Sequence, residues 1–185
     1  MPFDEVTSEM RSAAKAVNFG IVYGISDFGL ARQLGISRKE AARYIELYFM
    51  RYPGVHTYLK GCVERAKQQG AATTLFGRRR EMPELKSSNY NTRSFGERVA
   101  MNMPIQGTAA DIIKLAMVRV HNELKACGMK SELILQIHDE LIIDAVQEEA
   151  DAAAEILKSC MENVVNLKVP LLAEIHTGHS WFDTK

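Results

Sequence analysis

Along the first seventy residues apolar side chains recur every three or four positions, and polar caps, Gly and Pro cut this helical pattern into pieces. A first helix is expected from Thr7 or Ser8 to near Gly24, with Glu9 in its opening turn. A short helix follows from about Asp27 to Leu34 and stops at Gly35. Ser37 caps a third, SRKEAARYIELYFMRY, closed by Pro53 and Gly54, and a fourth runs from about Val55 to Gln69. At Gly70 the period changes. AATTLFGRRREMPEL is broken at Phe76-Gly77 and ended by Pro83, which predicts a β-hairpin over 71–85. Helical spacing returns over 88–127, where Pro104 should kink or divide a long helix. ELILQIHDELIIDAVQ is apolar on both sides of a polar centre and predicts a second hairpin over 132–146. A helix over 147–166 and a last strand over 170–176 complete the chain. The fold class is therefore α+β and mainly helical, with a small antiparallel sheet carrying the His138-Asp139-Glu140 hairpin.

Within the first helix the stretch RSAAKAVNFGIVYG places Arg11, Lys15, Phe19 and Tyr23 at intervals of four. Each step rotates by about 40°, so the four form one drifting stripe roughly 18 Å long. Cations and aromatics share a face that an amphipathic helix would divide between water and core. Ala13, Ala14, Val17, Ile21 and Val22 are left to pack. A ligand with phosphates at one end and a flat ring at the other would match the stripe. A solvated Arg and Lys beside two core aromatics has the same spacing, and spacing alone does not choose between them.

The chain has 185 residues, enough for one substantial core or a core with a smaller lobe. Its hydrophobic fraction of 46% and charged fraction of 25% are those of a soluble globular protein. No apolar run approaches the roughly 20 residues that span a bilayer, and no leader pattern opens the chain, so a cytoplasmic protein is expected. Cys62, Cys127 and Cys160 lie far apart without CxxC spacing and read as reduced thiols. Zero net charge conceals a division: residues 1–98 hold 16 Lys+Arg against 10 Asp+Glu, and residues 99–185 hold 7 against 13. The basic half can attract a polyanion locally, although a scatter of solvated side chains gives the same counts.

His138-Asp139-Glu140 is not a favoured turn sequence, so turn chemistry alone does not account for it. A carboxylate at a tight tip, braced by strands of Leu133, Leu135, Ile137, Leu141 and Ile143, would be rigidly displayed to a divalent cation. Taken alone, a merely polar hairpin tip explains the residues as well.

Read together, R-x3-K-x3-F-x3-Y-G and, about 115 residues later, QIHDEL resemble two motifs of family A DNA polymerases of the bacterial type, in the same order. TLFGRRREMPEL, ERVAMNMPIQGTAAD and VPLLAEIHTGHSW are similar to the segments that connect and follow them, so the likeness covers essentially the whole chain. It implies fingers helices over 1–70, with the nucleotide-binding helix at about 8–23, and the second part of the palm over 71–185. It also implies that Arg11 and Lys15 meet the β- and γ-phosphates of a deoxynucleoside triphosphate, with Lys15 placed to protonate pyrophosphate. Phe19 would pack on sugar and base, and Tyr23 would stand where the template base enters. Asp139, with Glu140 as a helper, would bind Mg²⁺, two ions serving the complete enzyme. Arg98, Asn102 and Gln106 would lie in the minor groove of primer-template DNA, His138 at the primer end, and Arg78, Arg79 and Arg80 on backbone phosphates. Met101, Met103 and Met117 are assigned to the core.

The family's third motif, DYSQIE-like, supplies another catalytic Asp and does not occur in these residues. The resemblance thus implies a C-terminal portion of a polymerase that is inactive alone and has the upstream part of the same polymerase as a partner. A sheet edge or apolar surface left uncovered would promote self-association. Two other functions fit the same features: a non-catalytic primer-template or nucleotide binding module, and a fragment of a phage-type single-subunit RNA polymerase. Phe19, and Glu140 rather than Ser after Asp139, favour DNA over RNA synthesis.

Overall fold

The structure, a computed structural model, describes Pro2 and residues 5–184. Helices predominate, and the two hairpins expected form two separate two-stranded antiparallel sheets. Two compact units divide the chain, Met1–Gly107 and Thr108–Lys185.

The first unit opens with four helices, α1 (Ser8–Val22), α2 (Asp27–Leu34), α3 (Arg38–Arg51) and α4 (Pro53–Gln69). Their starts follow from side-chain oxygens that accept otherwise orphaned backbone N–H groups. Thr7 caps α1, Ser26 caps α2, and Ser37 with Glu40 forms a reciprocal capping box on α3. Pro53 opens α4 instead of merely ending α3, since its missing N–H costs nothing in a first turn. Leu30, Ala31 and Ala41 form one small core, with Val17, Ile25 and Ile45 packed on it.

Strands β1 (Ala71–Thr73) and β2 (Arg79–Glu81) pair with Ala72 opposite Arg80. This hairpin packs with α4 and with α5 (Tyr90–Asn102), whose shared core includes Val63, Ala72, Met82 and Ala100. Residues 71–107 thus belong to the same compact unit as the N-terminal helices. Beyond α5 the chain widens into a π turn, Met103–Gly107, around Pro104. Pro removes one N–H from the helical ladder, and the wider turn absorbs the loss without ending the helix. Gly107 is needed there because a Cβ would stand 2.7 Å from Thr74 Cγ2 and 3.0 Å from Met103 Sδ. Gly107→Ala should therefore destabilise the protein by about 1–3 kcal/mol, measured as a lower urea midpoint with an unchanged slope.

The second unit contains α6 (Thr108–Ala126), β3 (Glu132–Ile137), β4 (Glu140–Asp144) and α7 (Ala150–Glu162). Ile113, Ala116, Val120 and Leu124 of α6 pack with Leu141 of β4 and with Ala153 and Cys160 of α7. The strand register shifts between Leu133 and Leu135, so that Ile134 is an extra residue, a β-bulge. Leu133 and Ile143 pack toward the core, whereas Ile134 is 52% and Leu135 48% exposed on a face that nothing in this unit covers.

A carboxylate fastens the base of this hairpin. Glu149 accepts from the Ser131 hydroxyl at 2.6 Å and from the backbone N–H groups of Lys130 and Ser131. These bonds hold its carboxyl below the ordinary glutamate value, the Ser131 hydroxyl contributing most. Because the folded value is the depressed one, the stabilisation is present above the unfolded value of about 4.3 and is lost as pH falls through the folded value. Thermal melts should show Glu149→Gln less stable at pH 7, with its deficit shrinking as pH falls below about 4.3.

Two C-terminal expectations are corrected. The helix after the hairpin begins with a 3₁₀ turn at Gln147–Glu149 and ends at Glu162, short of 166. Residues 170–176 form no strand among the described residues. Alternation supplies the faces of a strand but not the neighbour its ladder requires. One backbone bond, Ala173 N–H to Glu162 Oε1 at 3.1 Å, ties this segment to α7.

Candidate nucleotide and metal sites

Helix α1 carries Arg11, Lys15, Phe19 and Tyr23 on one exposed face, while Ile21 on the opposite face is buried. The Phe19 and Tyr23 rings stack with centroids 6.1 Å apart and planes inclined by 24°. This removes the alternative of two core aromatics, since Phe19 is 46% and Tyr23 36% exposed. The Tyr48 hydroxyl of α3 donates to Asn18 Oδ1 at 2.8 Å and fixes the rotation of α1 about its axis. Gly24 follows Tyr23 with φ +71°, and a Cβ there would lie 2.5 Å from Met101 Cε and 3.0 Å from Arg98 Cγ of α5. Only Gly allows this sharp end to rest directly on α5.

Arg98 is half-buried and its Nη1 donates to Ser94 Oγ at 3.1 Å. Asn102 ends α5 with its Oδ1 buried and without a partner. Such an acceptor costs about 1–3 kcal/mol unless something donates to it. Gln106 is exposed on the π turn. Four residues are slightly more than one turn of an α-helix but less than one turn here, so Gln106 is set back from the line that Arg98 and Asn102 begin. Arg78, Arg79 and Arg80 are all exposed, but Arg79 and Arg80 are consecutive in β2 and point to opposite faces. Arg79 also pairs with Glu81 at 3.2 Å.

In the second unit, His138 and Asp139 form the two-residue turn between the paired residues Ile137 and Glu140. His138 has φ 53°, the single positive value on a non-Gly residue among the described residues. That conformation costs about 1–3 kcal/mol and persists where the surroundings enforce it. Part of the enforcement comes from Gln136, whose Nε2 donates to the His138 carbonyl at 2.7 Å. Gln136 was not a candidate from sequence; its only signal was a polar residue inside an apolar strand. Asp139 and Glu140 are both exposed at this braced tip. They offer hard oxygen donors of the type Mg²⁺ takes, which fits part of a coordination shell. No group of three His, Cys, Asp or Glu side chains able to hold a metal occurs among the described residues, so an ion held at this tip would need ligands from outside it. No helix among the described residues is long and apolar enough to cross a membrane.

Comparison with known proteins gives one consistent result. The family model for DNA polymerase family A matches residues 1–183. The chain is 58% identical over 181 residues to DNA polymerase I of Caldicellulosiruptor bescii and 54% identical over 182 residues to DNA polymerase I of Bacillus caldotenax. In each case 98% of this chain is covered but 21% of the relative, so the chain spans about a fifth of their length. A solved structure, the POL domain of Pol1 from M. smegmatis in complex with DNA primer-template and dNTP, is 44% identical with a TM-score of 0.95. That match covers 100% of this chain and 32% of the other.

Proposed function

Since the chain belongs to DNA polymerase family A, we propose that its residues serve template-directed DNA synthesis, the addition of deoxynucleotides to a primer 3′-hydroxyl. The observation that carries this is the α1 face, where two exposed cations are followed by a stacked aromatic pair. Arg11 and Lys15 are suited to the β- and γ-phosphates through charge-assisted hydrogen bonds, and Lys15 to donating a proton to the departing pyrophosphate. Phe19 presents a ring face to sugar and base, and Tyr23 closes the stripe beside the Gly24 turn, where a template base would enter.

Asp139, with Glu140 beside it, would hold Mg²⁺ together with substrate phosphates and a carboxylate from another segment. Two ions held there would supply activation of the attacking hydroxyl and stabilisation of the leaving oxygens in an in-line displacement. The strained His138 turn and the Gln136 bond keep the Asp139 backbone in one position, so little ordering is left to do when the substrate arrives. The side-chain N–H donors of Arg98, Asn102 and Gln106 suit the minor groove, whose acceptor pattern is largely shared between base pairs and reports pairing geometry more than sequence. His138 would stand at the primer end, and Arg78, Arg79 and Arg80 would meet backbone phosphates, the opposed Arg79 and Arg80 reaching different strands or segments. Residues 1–70 are read as fingers helices and the C-terminal portion as palm.

Holding one catalytic carboxylate of the set, the 185 residues are expected to add no nucleotides by themselves. Primer extension tests this reading: no extension by the purified chain, and extension when a separately made upstream polymerase segment is added. Extension by the chain alone overturns the assignment of a missing carboxylate, and failure of the mixture, with DNA bound, leaves a binding module. The uncovered face with Ile134 and Leu135 should also cause concentration-dependent self-association of the chain by itself, read in sedimentation velocity, and Ile134→Lys should reduce it.

A further inference from the structure

Behind the nucleotide-facing stripe, on the opposite side of α1, the first unit encloses an open cavity of ≈ 440 Å³. Its volume lies within the range of small-molecule sites. Its floor is apolar: Ile21 and Ile25 flank the Gly24 turn, and Ile45, Leu59 and Val63 come from α3 and α4. One wall is the Phe49 ring stacked on the His56 ring, 4.4 Å between centroids and 27° between planes. A stacked pair of this kind presents a flat face, which favours a planar ring as its neighbour.

Charge at the rim is unevenly committed. Lys67 pairs with Glu97 at 3.0 Å and with Glu64 at 3.4 Å, so these three largely satisfy one another. Lys60 also lines the rim and is exposed, and it has no carboxylate within ion-pair distance among the described residues. Apolar floor, flat wall and one uncommitted ammonium together specify an occupant. We propose that this cavity is a ligand site, separate from the nucleotide-facing stripe, for a planar aromatic molecule bearing one acidic group, with the ring against Phe49 and His56 and the acid at Lys60.

The site goes beyond the polymerase reading and does not require it. Its occupant would touch α1, α3, α4 and α5 together, the last through Met101. Binding would stabilise the first unit by mass action and hold the end of α1 against the helices behind it.

The test uses 2-naphthoate as probe and the intact chain labelled at isoleucine δ1 methyl groups. Titration should shift the Ile21, Ile25 and Ile45 methyl resonances saturably, leaving Ile113, Ile142 and Ile143 in place. Lys60→Glu, an exposed change that spares the floor, should weaken binding about tenfold through the removal of one charge-assisted hydrogen bond. Neutral 2-naphthalenemethanol should bind similarly weakly to both proteins, and Lys15→Ala should leave naphthoate affinity unchanged. No shift at the three methyl groups, equal affinity in Lys60→Glu, or equal affinity for acid and alcohol would each overturn the proposal. Loss of binding in Lys15→Ala would also overturn it, because the probe would then sit on the stripe. None of these outcomes depends on whether the chain supports primer extension.

Discussion

Asp139→Asn is expected to abolish primer extension once the chain is supplied with an upstream polymerase segment, while leaving binding of primer-template DNA nearly unchanged. The substitution keeps the size of the side chain and leaves the brace of the tip intact, since Gln136 holds the carbonyl of His138 and not the Asp139 side chain. What it removes is one anionic oxygen donor. Mg²⁺ gives up its waters reluctantly and is held through few carboxylates, so the loss of one has a large share of the effect. Several kcal/mol of transition-state stabilisation, roughly a thousandfold in rate, should disappear. Duplex affinity, which comes mainly from phosphate contacts, should hold at fixed salt. Single-turnover extension and a filter-binding isotherm on the same preparation separate the two quantities. An unmutated rate in the variant would show that Asp139 is not a metal ligand for catalysis.

Lys15→Ala and Arg11→Ala should each weaken binding of a deoxynucleoside triphosphate far more than that of the corresponding monophosphate. Both cations occupy the N-terminal part of the stripe, one and two turns before Phe19, so a nucleotide with its ring on Phe19 points its outer phosphates at them. Removing each charge-assisted hydrogen bond should cost about 1.5–3 kcal/mol where the site is closed to water, or roughly 10- to 150-fold in affinity. Both side chains are exposed in the isolated chain, and screening should bring the effect toward the lower end there. Equilibrium titration with tri- and monophosphate measures the ratio, and equal losses for the two nucleotides would remove both residues from phosphate recognition.

Much of the first unit was legible because its boundaries are local chemistry. Gly35, Ser37, Pro53 and Gly70 act within a residue or two of where they stand, and the helices begin and end at them. The stripe on α1 was legible as geometry, while its exposure was not, because burial depends on which helices pack behind it. Pro104 announced a disturbance, but whether a helix breaks, bends or widens depends on what packs there, in this case Thr74 against Gly107. The tip at His138 was legible only as an unexplained turn. Its strain and its brace from Gln136 require the strand register, which local pattern does not contain. Residues 170–176 show the opposite failure: the pattern was present and no partner strand stands beside it among the described residues.

The extra residue at Ile134 changes how β3 has to be counted. From its base the strand sends Leu133 toward the helices, and simple alternation would send Leu135 and Ile137 after it. The bulge reverses the parity midway, so Gln136 falls opposite the buried Leu141 while Leu135 joins Ile142 on the other face. Pairing with β4, more than the number of residues in β3, therefore decides which way the carboxylate turn is presented. Substitutions at 134 should be tolerated by the turn, and deletion of that one residue would leave a regular strand in which Leu135, Gln136 and Ile137 keep Ile142, Leu141 and Glu140 as partners. Any comparison or redesign of this strand has to be aligned outward from His138 and Asp139, because counting forward from Glu132 assigns each later side chain to the wrong face.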